Sequence, residues 1–157
     1  MRQHSYLFQA GETATAFHVL ADGQVAIVRE TDEGQEVILR LIGPGEIFGG
    51  VVSWGEVTYP ASARALTDAV VLQLPAAAMT QLLADHPSLA LAVLKEISSR
   101  LREAEARILD LQTKRVERRI ARILLGLAAK TGKQTADGIA LGVRLSRQDL
   151  AALAGTT

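Results

Sequence analysis

The sequence predicts an α+β chain: an antiparallel β-roll of the sandwich or jelly-roll kind, then a long helix, then a small helical segment carrying a hairpin. Three observations lead there. Five short apolar runs between Tyr6 and Leu72 are rich in β-branched or aromatic residues and separated by glycine-bearing turns. From Pro87 to Leu111 the chain has no glycine and no second proline, and its aliphatic residues recur with a helical period. Charge is split along the chain: residues 1–112 hold 8 Lys and Arg against 14 Asp and Glu, a net of −6, and residues 113–157 hold 9 against 3, a net of +6. The zero net charge therefore conceals a basic end, a pattern associated with nucleic-acid binding.

The strand signals come first. Tyr6-Leu7-Phe8, Phe17-His18-Val19-Leu20, Val25-Ala26-Ile27-Val28, Val37-Ile38-Leu39 and Ala69-Val70-Val71-Leu72 are the five runs. Gly11-Glu12, Ala21-Asp22-Gly23, Asp32-Glu33-Gly34 and Gly43-Pro44-Gly45 supply the turns between them, with glycine available for positive φ. Short strands at regular spacing suit an antiparallel roll rather than a parallel sheet.

After Leu74-Pro75 the pattern becomes helical, first over about residues 76–84 and then from Pro87. Asp85 is the expected N-cap of the long helix, and Pro87 suits a first turn, where its missing N–H leaves no bond unmade. Leu94, Ile97, Leu101, Ala104, Ile108 and Leu111 alternate in steps of three and four, a heptad seam flanked by Arg100, Glu105 and Arg107. So narrow a seam on so long a helix predicts pairing with a second copy. Val116, Ile120, Ile123, Leu124 and Leu127 extend a basic helix to about Lys130. Ile139–Leu141 and Val143–Leu145 are then expected to form a hairpin around Gly142. The final helix begins at Ser146 with Asp149 three residues on, the spacing of a capping box, and Gly155 stands where it would turn sharply.

Composition closes off several classes of function. Without cysteine the chain has no disulfide, no thiolate zinc site and no cysteine-ligated iron–sulfur cluster. No apolar run is long enough to span a bilayer and no signal peptide precedes the first strand, which is compatible with a cytoplasmic protein. A metalloenzyme of the double-sheet barrel type needs histidines close together, whereas His4, His18 and His86 are isolated. No nucleophile elbow or triad pattern is present. The chain reads as a non-enzyme.

The order of these elements, together with Gly45-Glu46-Ile47-Phe48-Gly49 and the terminal L-S-R-Q-D-L-A-A-L-A-G-T-T, closely resembles the CRP/FNR class of bacterial transcription regulators. That resemblance implies a cyclic-nucleotide-binding-like β-roll over residues 1–86 that senses an effector and a long dimerisation helix over 87–112. Over 113–157 it implies the first part of a winged helix-turn-helix domain. It further implies a homodimer that binds DNA, answers to a small-molecule effector and works with RNA polymerase. The base-reading helix would follow Thr157, so the recognition helix is expected to be absent and DNA binding by the chain as given to be weak. Relatives commonly have helices before the first strand, and a fragment is expected on that ground too.

Ser146, Arg147, Gln148 and Thr157 are the candidate contacts to DNA phosphate, offering a hydroxyl, a guanidinium, an amide and free N–H groups at a helix start. The effector pocket is expected from Phe48, Gly49, Gly50, Val51, Tyr59, Pro60 and Ala61 on the roll and Leu101, Ala104, Glu105 and Ile108 on the helix. The resemblance also says what is missing. Where cAMP-binding members place a Glu, an Arg and a Ser around the ribose and phosphate, this chain has Gly50, Tyr59 and Pro60. Where they place a Thr-Ser pair against adenine, it has Ala104 and Glu105. A buried phosphate without its cation loses a charge-assisted bidentate interaction, so cAMP is disfavoured. Arg64 is the one nearby cation that would have to substitute. With Val52 and Trp54 the pocket mouth is apolar, which suits haem or another apolar effector, with His4, His18 and His86 as the only imidazoles. The alternative is a cyclic-nucleotide-binding regulatory module of another protein class.

Overall fold

The computed structural model describes residues 1–50, 58–113 and 115–156. The roll is built from seven strands: β1 (Tyr6–Phe8), β2 (Ala16–Asp22), β3 (Val25–Glu30), β4 (Glu36–Ile42), β5 (Ile47–Phe48), β6 (Ser62–Ala65) and β7 (Val70–Pro75). They form two antiparallel sheets, a four-stranded one in the order β1-β6-β3-β4 and a three-stranded one in the order β5-β2-β7. Gly23 and Gly45 both adopt positive φ. A β-carbon at Gly23 would also overlap the backbone of Asp68 and Ala69, so that turn needs glycine twice over.

Between the sheets lies a core of Phe8, Leu20, Val25, Ile42, Phe48, Tyr59 and Ala63. The four-stranded sheet is apolar on its other face as well. Ala26, Val28, Ile38 and Leu66 are buried there against Leu153 near the end of the chain. The unbroken Val25–Val28 run follows from this, since a strand covered on both faces has no polar side to show.

Helix α1 (Ala76–Asp85) anchors on the roll through buried Met79, and α2 (Pro87–Thr113) runs on from it. Asp85 does not cap α2. It ends α1, where Gln81 donates to its carboxylate, and the His86 carbonyl accepts from Leu89 at the start of α2. The preference for Asp at a cap yields here to a glutamine one turn earlier on the same helix. Helix α3 (Val116–Thr131) follows, and Asp110 of α2 pairs with its Arg122 at 2.8 Å.

The hairpin is displaced from its expected place. Strands β8 (Lys133–Thr135) and β9 (Gly138–Ala140) pair across a turn at residues 136–137, and Val143–Leu145 runs on without pairing. Asp137-Gly138, with Gly138 at φ +144°, is the stronger turn signal. Gly142 is needed for a different reason, a close approach to the Thr131 carbonyl. The last helix, α4 (Arg147–Ala154), has the expected capping box. Ser146 accepts from the Asp149 N–H, the Asp149 carboxylate accepts from the Ser146 N–H, and Gly155 closes the helix in the left-handed region.

Candidate functional site

A cleft of about 120 Å³ opens between the roll and the first half of α2. Phe17, Ile47, Phe48 and Gly50 form its floor; Leu89, Val93 and Ile97 form its helical wall; Glu96 and Arg100 stand at the rim. The strand period explains the floor. His18 and Leu20 point between the sheets, so Phe17 points the other way, under α2. Arg100 pairs with Glu96 at 2.9 Å and donates to the Ile47 carbonyl, tying helix to strand. An apolar hollow with one charged pair at its edge suits a small apolar molecule.

Of the expected pocket residues, Phe48 and Gly50 line this cleft, and Gly49 adjoins it with φ +71°. Val51 falls outside the described residues, as do Val52 and Trp54. Tyr59 is not at the mouth. It is buried in the core, stacked on Phe8 with ring centroids 3.7 Å apart and its hydroxyl 3.4 Å from the Ala16 carbonyl. Burial raises its pKa, with bonds to the Ala16 and Thr15 backbone acting against that. Ala61 is buried and Pro60 is exposed. Leu101, Ala104, Glu105 and Ile108 are exposed and do not line the cleft, which lies one to two turns earlier on α2. The wall therefore comes from Leu89, Val93 and Ile97, and of these only Ile97 belongs to the seam the sequence suggested.

The polar substitutes fail for geometric reasons. Arg64 lies on the outer face of β6, where it pairs with Glu36 at 2.6 Å and Asp149 at 3.3 Å. Burial works against its charge, and the two carboxylates outweigh that and raise its pKa. At Gly50 there is no room for any side chain, because a β-carbon would run into the Phe17 ring. His18 is buried beside Phe8, Phe48 and Tyr59 rather than in the cleft. Desolvation lowers its pKa, with the Phe48 backbone acting the other way. Haem would need a ligand for iron, and the lining has no imidazole, thiolate or thioether. The undescribed stretch Val51–Val57 has none in its sequence either. His4 and His86 are exposed on other parts of the surface. The cleft does not fit haem. Among the described residues no cluster of His, Cys, Asp or Glu is arranged to hold a metal.

The seam residues divide by direction. Leu94, Leu101 and Ile108 are 59%, 60% and 57% exposed, and Leu91 joins them at 59%. Ala104 and Leu111 are exposed too, whereas Ile97 is half-buried against the roll. At the chain's basic end, Ser146, Arg147 and Gln148 are exposed at the start of α4. The Ser146 hydroxyl is engaged by Asp149. Thr157 is outside the described residues.

Residues 1–86 match the family described as the cyclic nucleotide-binding domain. The chain is 32% identical over 151 residues to a cyclic AMP receptor protein of Thermus thermophilus, covering 96% of this chain and 67% of the relative. It is 26% identical, with the same coverage, to a CRP-like cAMP-activated global transcriptional regulator of Mycobacterium tuberculosis. The chain thus spans about two thirds of the length of these relatives. A solved CRP-family transcriptional regulator of Thermus thermophilus superimposes with a TM-score of 0.79 at 29% identity, covering 99% of this chain and 76% of that one.

Proposed function

This chain belongs to the CRP/FNR family of transcriptional regulators, and from that membership we propose that it is a DNA-binding homodimer governed by a small apolar effector. It is a regulator and not an enzyme. Residues 1–86 sense, 87–112 carry dimerisation and 113–157 contribute the beginning of the DNA-binding unit. The observation that carries the effector reading is the contact between Gly50 and Phe17. The phenyl ring occupies the volume a ribose-binding carboxylate would need at position 50, and Tyr59 and Arg64 are both committed elsewhere. A cyclic phosphate would then be buried without a cation. The cleft beside Phe17 is the place where an apolar molecule fits instead. No ligand for haem iron is within its lining, so the effector is a small apolar organic molecule rather than haem.

The exposed aliphatic stripe Leu91, Leu94, Leu101 and Ile108 supports pairing of two α2 helices, since a single chain leaves it in water. The exposed Ser146-Arg147-Gln148 start of α4, on the basic end, supports contact with DNA phosphate. Effector binding beside Arg100 and Ile47 would bias how the two long helices pair, a two-state shift. Placement in the cytoplasm beside RNA polymerase belongs to the same reading.

The test is to recover DNA bound by the protein expressed from its native gene. Sites sharing one two-fold symmetric motif are expected. Recovery without a shared motif would refute the reading as a sequence-specific regulator. Calorimetry with cAMP is expected to give no binding heat, and saturable binding would overturn the effector assignment.

A further inference from the structure

Two arginines, one on the roll and one on the long helix, meet the same short helix from opposite ends. Arg64 of β6 reaches Glu36 on β4 and the Asp149 carboxylate in the first turn of α4. Arg107 of α2 is half-buried and donates to the carbonyls of Ile38 and Leu39 on β4 and of Leu153 in the last turn of α4, at 2.7–2.8 Å. Planar guanidinium groups suit this, because a fork of fixed donors can serve several acceptors at once. Between them Leu153 packs on Ile38 and Val28 of the outer sheet face. Just before α4, the Gln24 side chain accepts from the Arg144 N–H.

We propose that Arg64 and Arg107 form a clamp that holds α4 docked on the outer face of the roll, and that release of this clamp frees α4 for DNA. The clamp joins four elements at one place: β6, α2, whose pairing an effector would alter, β4, and the helix whose start would meet phosphate. Its regulatory role rests on the proposed function; its existence does not. An eight-residue helix has little stability of its own in water. Once undocked from the roll, α4 keeps only its packing on α3, where Arg119 donates to the Ala154 carbonyl at 2.9 Å, and its amides exchange faster, which makes the clamp measurable without DNA or effector.

Hydrogen exchange is followed by mass spectrometry in the whole chain, for Arg64→Met and Arg107→Met. Exchange at residues 150–154 is expected to speed up at least tenfold in each variant, with β3 and β2 unchanged. In the unsubstituted chain, added sodium chloride is expected to speed α4 exchange by screening the Arg64 pairs, and Arg64→Met abolishes that response. A purely apolar docking has no charge pair to screen and would show no such acceleration. Glu36→Gln, at a partly exposed site, serves where a buried substitution unfolds the roll, and a several-fold acceleration is expected. Unchanged α4 exchange in the folded variants overturns the clamp. Affinity for random-sequence duplex then decides what the clamp controls. At least fivefold tighter binding by Arg107→Met is expected, and equal or weaker binding overturns the switch. Absence of binding by every form would instead count against α4 as a DNA-facing helix.

Discussion

Phe17 fills the space in front of Gly50. The ring of one lies where the β-carbon of the other would have to be, so glycine at position 50 is a packing requirement and not only the loss of a carboxylate. Installing Glu at position 50 is therefore expected to damage the roll without creating a cyclic-nucleotide site. Gly50→Ala is expected to cost about 1–3 kcal/mol, the usual penalty of overpacking, and Gly50→Glu more. Urea denaturation measures both, and calorimetry with cAMP is expected to remain flat for Gly50→Glu. A Gly50→Ala variant as stable as the parent would show that Phe17 moves freely out of the way.

The division of the seam leads to a paired prediction. Leu101 points into solvent from the single chain, while Ile97 points into the cleft. Leu101→Glu is expected to give monomers, because in a two-fold pair the new carboxylate would be buried near its own copy. Ile97→Ser is expected to leave the dimer mass unchanged, its loss falling on the cleft. Light scattering of the two variants separates them. Monomers from Ile97→Ser together with dimers from Leu101→Glu would move the interface to the other flank of α2.

How much of this was legible in the sequence depends on the range of the interaction. The capping box at Ser146 and Asp149, the roll's turns at Gly11, Gly23, Gly34 and Gly45 and the helical period from Pro87 to Leu111 are set by neighbours a few residues apart and stand where the sequence places them. The turn expected at Gly142 is not there. Strand β6, Ser-Ala-Arg-Ala, has no β-branched residue and earns its place only by packing small side chains between the sheets, so no local signal marks it. The heptad shows which residues share a face, but not that Ile97 on its edge turns to the roll. Tyr59 and Arg64 look like pocket residues until Phe8 in one case, and Glu36 and Asp149 in the other, are brought beside them. The same long-range pairing hid Arg107, whose partners lie on two distant elements.

His18 gives the roll a dependence on pH. Desolvation holds its folded pKa below the ordinary value of 6.5. As pH falls through 6.5, the unfolded chain takes up a proton that the folded chain refuses, so stability declines, and it levels off only below the folded pKa. Denaturation midpoints are expected to fall as pH drops through about 6.5, and His18→Leu is expected to remove that part of the slope. An equal slope in the variant would assign it to other groups.

Asp149 acts in the opposite direction on a different pH limb. Burial raises its pKa, but bonds from Ser146 and Arg64 outweigh this, so the folded value lies below 3.8. A depressed carboxylate contributes stability that is present above the unfolded pKa and is lost as pH falls through the folded one. Asp149→Asn is therefore expected to lower the melting temperature near neutral pH, where both the cap and the pairing with Arg64 are weakened. Ser146→Ala, which removes the cap hydroxyl alone, is expected to cost about 1 kcal/mol. The gap between the Asp149→Asn variant and the parent should close in acid, below the folded pKa, because the parent's carboxyl is then neutral as well. Melting curves followed by circular dichroism across that range make the comparison. A gap that stays constant into acid would mean that the carboxylate charge contributes nothing and that the asparagine acts only through altered packing of α4.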